Sequence, residues 1–391
     1  MEAPKGEFKT PAIASIIFGS GTLGQVGQKV EDLGAKRALV VTVKSLAKTD
    51  LVEQVKKALG SRYAGVFSGV VQHVPRQCVA EGARMAKELG ADLLVSLGGS
   101  SPSDAAKGIN LLLTEGEKFE GFFAQSGRPG AVMPKFDKPK LPQIAIPTTL
   151  SAGEFSASAG ITDTALRRKI GFTDVKLTAK VIILDPEATI YTGRELWAST
   201  GLKVLSDCFE EVCSPRHQPM VDALALHGAR MISQYIVPSV SEPLDLNARA
   251  MMQHAAWLSM YGKESTGLGI VASLRHQIGA TFNVAHGVAS TIVFPHVLSF
   301  NRPQIDERLA LLAGALGLPS GNAVLAADAA IDRVKKLIGQ IGLPVRLRDV
   351  GVPEDGIMLI AKASILDHQV KTNPRPVRSA EELLGILEAA W

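Results

Sequence analysis

Cysteine is scarce in this chain of 391 residues. Cys78, Cys208 and Cys213 are the three, and no pair has the spacing of a metal knuckle or a disulfide framework. That usage suits a reducing compartment, and the expected location is the cytoplasm. Charge of one sign is missing too: 42 Lys and Arg against 38 Asp and Glu leave a formal +4. No basic run or aromatic-basic interleaving accompanies it, so nucleic acid is not an expected partner. No uninterrupted apolar segment approaches the roughly 18 residues that cross a bilayer. Met1-Glu2-Ala3-Pro4-Lys5-Gly6-Glu7 lacks the apolar core of a secretory signal, so neither membrane insertion nor export is expected.

What is present is apolar and long. Hydrophobic residues make up 46% and charged residues 20%, and the mean hydropathy is +0.16. A chain of this length exceeds one ordinary core, which predicts two domains. The sequence is organised around Leu93-Leu94-Val95-Ser96-Leu97-Gly98-Gly99-Ser100-Ser101, followed by a helix-forming segment through Lys107. An apolar run, two glycines, two serines and a helix start meet there. Unpaired first-turn amides and the positive end of the helix dipole would attract phosphate. A turn that merely reverses the chain remains the alternative.

Strand patterns at Ile13–Phe18, Ala38–Val43, Tyr63–Val70 and Asp92–Leu97 alternate with helical ones at Asp50–Leu59 and Val79–Leu89. That alternation predicts βαβ units in a mostly parallel, doubly wound sheet, with ligands beyond the C-terminal strand ends. Gly127–Pro142 reads as an exposed loop rich in Pro, Gly and Lys. A strand over Gln143–Pro147 then opens Thr148-Thr149-Leu150-Ser151-Ala152-Gly153-Glu154-Phe155-Ser156, either a second ligand loop or a polar turn. Val181-Ile182-Ile183-Leu184-Asp185-Pro186 is the last strong strand. Helical periodicity fills the remainder, so the domains are expected at 1–191 (α/β) and 192–391 (all-helical).

The order of motifs resembles the iron-dependent (group III) alcohol dehydrogenase superfamily, and within it the maleylacetate reductases. Gly98-Gly99-Ser100-Ser101-Pro102-Ser103-Asp104-Ala105-Ala106-Lys107 carries the likeness, with Ile146-Pro147-Thr148-Thr149-Leu150-Ser151, Asp185-Pro186-Glu187, Arg275-His276-Gln277-Ile278-Gly279-Ala280, Ala285-His286-Gly287-Val288 and Asn373-Pro374-Arg375-Pro376. The resemblance implies a dinucleotide-binding α/β domain, a helical domain of the dehydroquinate synthase type, and a cleft where a nicotinamide exchanges hydride with a carbonyl. It implies that Gly98, Gly99, Ser100 and Ser101 hold the pyrophosphate, with Asp104 toward the nicotinamide. Thr148, Thr149 and Ser151 would line the ribose and nicotinamide, and Lys169 would reach a ribose hydroxyl. Ser100 stands where a third glycine is usual. A homodimer is also implied.

The departures fall on the metal site, where the family uses one Asp and three His. Lys203 occupies the Asp position, Asp207 the first His position and Ala272 another, so only His286 is retained. One imidazole and one carboxylate make a poor divalent site, so no metal is expected. Lys203 and Asp207 at i, i+4 can pair, either as a surface pair or with the ammonium replacing a cation beside the carbonyl oxygen. His276 corresponds to a family His near the nicotinamide and suits proton relay. Arg275 faces either a substrate carboxylate or a surface salt bridge.

The expected function is an NAD(P)-dependent oxidoreductase acting on a small carbonyl or oxo-acid without a metal. Lys203, Asp207, His276 and His286 are the expected catalytic residues. Val41-Thr42-Val43-Lys44-Ser45 lacks the acid that would repel a 2′-phosphate, which leans toward NADP. A non-redox enzyme, or a nucleotide-binding protein that has lost dehydrogenase activity, is the alternative on the same scaffold.

Overall fold

The structure, a computed structural model, describes residues 7–8, 10–125, 133–164 and 168–391. They divide into two compact units, one spanning Pro11–Thr192 and the other Gly193–Trp391 with the described residues of the first ten.

The first unit is built on a six-stranded parallel sheet ordered β1-β8-β5-β4-β2-β3. Its strands are β1 (Ser15–Phe18), β2 (Ala38–Val43), β3 (Tyr63–Val70), β4 (Leu93–Gly98), β5 (Gln143–Pro147) and β8 (Val181–Leu184). Helices α1 (Val26–Asp32), α2 (Lys44–Ala47), α3 (Asp50–Leu59), α4 (Arg76–Glu88), α5 (Ser100–Glu115), α6 (Glu117–Gln125) and α7 (Pro186–Thr189) follow the strands. Both sheet faces are covered, so β2 reads as a continuous apolar run. Its alternate residues divide, with Leu39 and Val41 in one core and Ala38 and Val40 in the other. β4 stands between β2 and β5, where the strand order reverses and α/β sheets bind ligands.

One feature was not legible as a pattern. An antiparallel hairpin, β6 (Ser158–Asp163) with β7 (Arg168–Thr173), projects from the second hydroxyl-rich loop. Of the loop expected over 127–142, residues 127–132 lie outside the described residues, and 133–142 carry neither helix nor strand.

The second unit is helical, and no strand follows β8 among the described residues. It contains α8 (Arg194–Cys213), α9 (Pro219–Ser241), α10 (Leu246–Tyr261), α11 (Lys263–Thr266), α12 (Ile270–Phe282), α13 (His286–Ala315), α14 (Ala323–Ile341), α15 (Ile357–Ser364) and α16 (Ala380–Ala390). α8 packs against α9, α10, α12 and α13 and is buried nearly all round. Whatever polar residues it carries are thereby taken out of water. α13 runs through Pro295 and Pro303, because tertiary burial outweighs two missing amide donors. No helix of the described residues is long and apolar enough to cross a membrane.

Candidate functional site

In the first unit the parallel register sets Gly98 opposite Pro147. The loops leaving β4 and β5 therefore start at one level, tied by Thr148 N donating to Gly98 O at 3.0 Å. Gly98 has φ +137°, a conformation reserved for glycine. A Cβ on Gly99 would meet Thr149 Oγ1 at 2.9 Å, so the two loops touch only because that side chain is absent. Ser100 is already the first residue of α5, where a side chain is tolerated, which explains how it replaces the usual glycine. No side chain caps α5, so its first amides remain available to an anion. The structure thus brings together Gly98, Gly99, Ser100, Ser101, Thr148, Thr149 and Ser151, and the donors they present fit a dinucleotide pyrophosphate.

The second loop is held from below by a residue that sequence reasoning passed over. Lys107, fully buried on α5, donates from Nζ to Ser156 O (2.7 Å), Gly153 O (2.9 Å) and Ser158 O (3.0 Å). Only its place inside the motif hinted at this. Asp104, one turn earlier, accepts from Gly160 N at 3.2 Å and stands 4.0 Å from Lys169 Nζ. Both therefore brace the hairpin. The Asp185 carboxylate caps α7 through Glu187 N and also receives Leu23 N at 2.8 Å.

In the second unit the polar stripe of α8 runs through the core. Asp207 is fully buried between two cations: Arg275 Nη1 donates to Oδ1 at 2.7 Å, and Lys203 Nζ lies 2.5 Å from Oδ2. Burial alone would raise the Asp207 carboxyl, but Arg275 and Lys203 outweigh it and hold it down at about 2. Its neighbours go the other way. Burial pushes Glu210 up to about 8 although Arg275 opposes it, and Glu210 Oε1 accepts from Val271 N at 2.8 Å. Burial and the Asp207 charge raise Glu211 well above the usual range. Neither of its carboxyl oxygens finds a donor among the described residues.

Arg275 is 3% exposed, so of its two expected roles neither a surface salt bridge nor an open carboxylate clamp describes it. It anchors Asp207. Ala272 is fully buried. His286 opens α13, where Gly287 is required because a Cβ would lie 2.6 Å from the Ser199 carbonyl carbon on α8. Its Nδ1 donates to Arg275 O at 3.1 Å. The His276 and His286 rings stand edge to face, 5.7 Å between centroids. His276 Nδ1 meets Asp367 Oδ2 at 2.9 Å. The ring keeps 38% of its surface yet is densely surrounded. That desolvation lowers its pKa against the pull of Asp367, with Arg275 and Lys263 adding to the fall. Asp367 gave no signal in sequence, since a lone acid before a turn has no periodicity or spacing.

These residues do not fit a divalent metal. Both oxygens of the Asp207 carboxylate are engaged by cations, and Asp367 is taken up by His276. Among the described residues no three His, Cys, Asp or Glu side chains gather as a ligand set.

A family model described as iron-containing alcohol dehydrogenase matches residues 14–186, and its C-terminal counterpart matches 197–391. The chain is 32% identical over 381 residues to an NAD-dependent methanol dehydrogenase of Bacillus methanolicus, covering 96% of this chain and 97% of that one. It is 29% identical to a maleylacetate reductase of Burkholderia cepacia, covering 97% and 96%. The crystal structure of a 1,3-propanediol oxidoreductase superposes with a TM-score of 0.89 at 27% identity, covering 99% of this chain and all of that one. By these likenesses and by its architecture, the chain belongs to the iron-containing alcohol dehydrogenase family.

Proposed function

We propose that the chain is an NAD(P)-dependent carbonyl reductase or alcohol dehydrogenase that works without a bound metal. The observation that carries this reading is the Lys203–Asp207 pair, which stands at two of the positions aligned with the family's metal ligands and is anchored by Arg275. The methanol dehydrogenase and maleylacetate reductase among its relatives support small alcohols, aldehydes and oxo-acids as substrates.

In this reading residues 1–191 form the dinucleotide module and 192–391 the substrate module. Gly98, Gly99, Ser100 and Ser101 receive the pyrophosphate, Thr148, Thr149 and Ser151 line the ribose and nicotinamide, and Asp104 and Lys169 set the far edge. A nicotinamide held by these residues would supply hydride to a carbonyl carbon or take it from an alcohol. As the carbonyl π pair moves onto oxygen, the Lys203 ammonium stabilises the new negative charge. Asp207, ionised and pinned by Arg275, keeps that ammonium charged and aimed. His276 gives its Nδ1 proton to the hydrogen bond with Asp367, which leaves Nε2 to exchange the alcohol proton. His286 shores up the same face through Arg275 O. Lys44 and Ser45 are exposed beyond β2, where they suit a 2′-phosphate and favour NADPH.

The test combines fluorescence titration with NADPH and NADH, an aldehyde and oxo-acid turnover screen, and elemental analysis. Turnover by protein free of stoichiometric iron or zinc, with NADPH bound more tightly, is expected. One metal per chain, with activity lost to a chelator and restored by the ion, overturns the metal-free mechanism. Cofactor binding without any turnover would leave a nucleotide-binding protein.

A further inference from the structure

The segment Asn373-Pro374-Arg375-Pro376 has no part in the hydride and proton transfers proposed above. It meets the start of α12, the helix that carries His276. The N-cap of α12 is Gly269, which has no side chain to receive the first amides. Two remote residues receive them instead. Ile270 N donates to Asn373 Oδ1 at 3.3 Å, and Val271 N donates to Glu210 Oε1 at 2.8 Å. A Cβ on Gly269 would lie 2.9 Å from both oxygens, so glycine stands there because its caps come from elsewhere. Asn373 is itself buried and fastened to α13. Its Nδ2 donates to Asn301 Oδ1 at 2.7 Å, and Asn301 Nδ2 donates back to Asn373 Oδ1 at 3.1 Å. The stretch before Asn373 runs beside α12. Gln369 Oε1 accepts from Leu268 N at 3.0 Å, Asp367 Oδ2 meets His276 Nδ1 at 2.9 Å, and Ser364 O accepts from Ser273 Oγ at 2.8 Å. Asp367 and His276 thus belong to two segments that Asn373 joins.

We propose that Asn373 is a positioning residue for proton transfer: locked to Asn301, it fixes where α12 begins and so holds His276 against Asp367. The inference rests on the reductase reading, in which His276 exchanges the alcohol proton. His276 lies about two turns along α12 from Ile270, so a slip or rotation at the capped end reaches the imidazole. The same slip changes the distance to Asp367, because Asp367 sits on the segment that Asn373 ends. An imidazole that loses that partner loses both its tautomer and its aim. The acceptor atom of Asn373 is what matters at Ile270, and its amide donor is what ties it to α13.

The experiment compares the parent with Asn373→Leu, which keeps the size but no polar atom, and Asn373→Asp, which keeps the acceptor for Ile270 N. Each is assayed at a temperature where its circular dichroism matches the parent's. Asn373→Leu should lower kcat by about 10- to 100-fold, the usual cost of a small misplacement of a reacting group. The nicotinamide Kd should change little, and Asn373→Asp should recover part of the loss. In a His276→Gln background the same Asn373→Leu change should leave kcat nearly as it was, because the group it aims is gone. A purely structural role would lower Tm in both backgrounds and leave kcat of the folded protein alone. Parent-like kcat in folded Asn373→Leu, or an equal loss with and without His276, overturns the proposal and leaves the reductase reading intact. If Asn373→Leu does not fold, Asn301→Leu, which unfastens Asn373 from α13, is read in the same way. If no carbonyl compound turns over, the reductase reading fails, and nitrogen NMR of histidine-labelled protein decides the positioning alone. The His276 Nδ1 signal, assigned through His276→Gln, should move in Asn373→Leu and return toward the parent in Asn373→Asp. A signal that stays in place overturns it.

Discussion

Arg275 Nη1 and the carboxylate of Asp207 form a fully buried hydrogen-bonded ion pair of 2.7 Å, linking α12 to α8. The other oxygen of Asp207 faces Lys203 Nζ. One carboxylate thus orders two cations, and the geometry of Lys203 follows from a residue 68 positions away in sequence from Asp207.

Replacing Lys203 should damage chemistry more than cofactor binding. If its ammonium acts on charge that appears on the oxygen, its loss acts on the transition state. Lys203→Met should lower kcat by about 10²–10³-fold, the typical cost of one such donor, with the nicotinamide Kd little changed. The double variant Lys203→Met with Asp207→Leu separates this from the effect of stranding a carboxylate. Parent-like turnover in both would make Lys203 a structural residue only.

The His276–Asp367 pair sets a pH profile. His276 titrates below its ordinary 6.5 because desolvation outweighs Asp367, so the neutral base is available through the neutral range. The kcat/KM for alcohol oxidation should therefore fall on the acid side of 6.5. Asp367→Asn keeps an acceptor for Nδ1 but removes the charge that favours imidazolium. Its acid limb should move to still lower pH. A limb that stays in place in the variant would remove His276 as the proton acceptor.

Glu210 makes stability depend on pH in an unusual direction. Its folded value of about 8 lies above its ordinary 4.5. Between those values the folded chain keeps a proton that the unfolded chain releases. Stability from this group is complete below 4.5 and is lost as pH rises through 8, by on the order of a few kcal/mol. Glu211 contributes in the same sense. Asp207 contributes oppositely, losing stability only as pH falls from 3.8 toward 2. Glu210→Gln should accordingly be more favourable at pH 8 than at pH 5 in urea unfolding. A pH-independent difference would refute this.

Lys107 should matter to cofactor affinity without touching the cofactor. Lys107→Met strands three carbonyls around Gly153, Ser156 and Ser158, each costing about 1–3 kcal/mol when left unpaired and dry. The expected result is a lower Tm together with a nicotinamide Kd raised about tenfold. A Kd equal to the parent's would show that the Thr148–Ser156 loop keeps its shape by other means.

Much of the first unit was readable in order. The apolar runs that became β2, β4, β5 and β8 are buried on both faces, and such strands announce themselves by composition. The β6–β7 hairpin did not, because Ser158–Asp163 and Arg168–Thr173 mix small, polar and charged residues with few apolar ones. Pro295 and Pro303 are local stop signals within α13, whereas its length is set by packing against α8, α12 and α14.

For the site, the sequence by itself determined which residue types stand at each motif position: the Gly98-Gly99-Ser100-Ser101 corner, the hydroxyls of Thr148–Ser151, the Lys203 and Asp207 spacing, and Ala272 in place of a histidine. Those facts are local, carried by the covalent order and the helical repeat. Only the tertiary structure decided that Arg275 turns inward to Asp207, that Asp367 meets His276, and that Lys107 reaches three carbonyls. The reason is physical: charge pairing and burial act through space. Their partners are separated by tens of residues, and no spacing rule on one chain segment encodes which ammonium a buried carboxylate will meet.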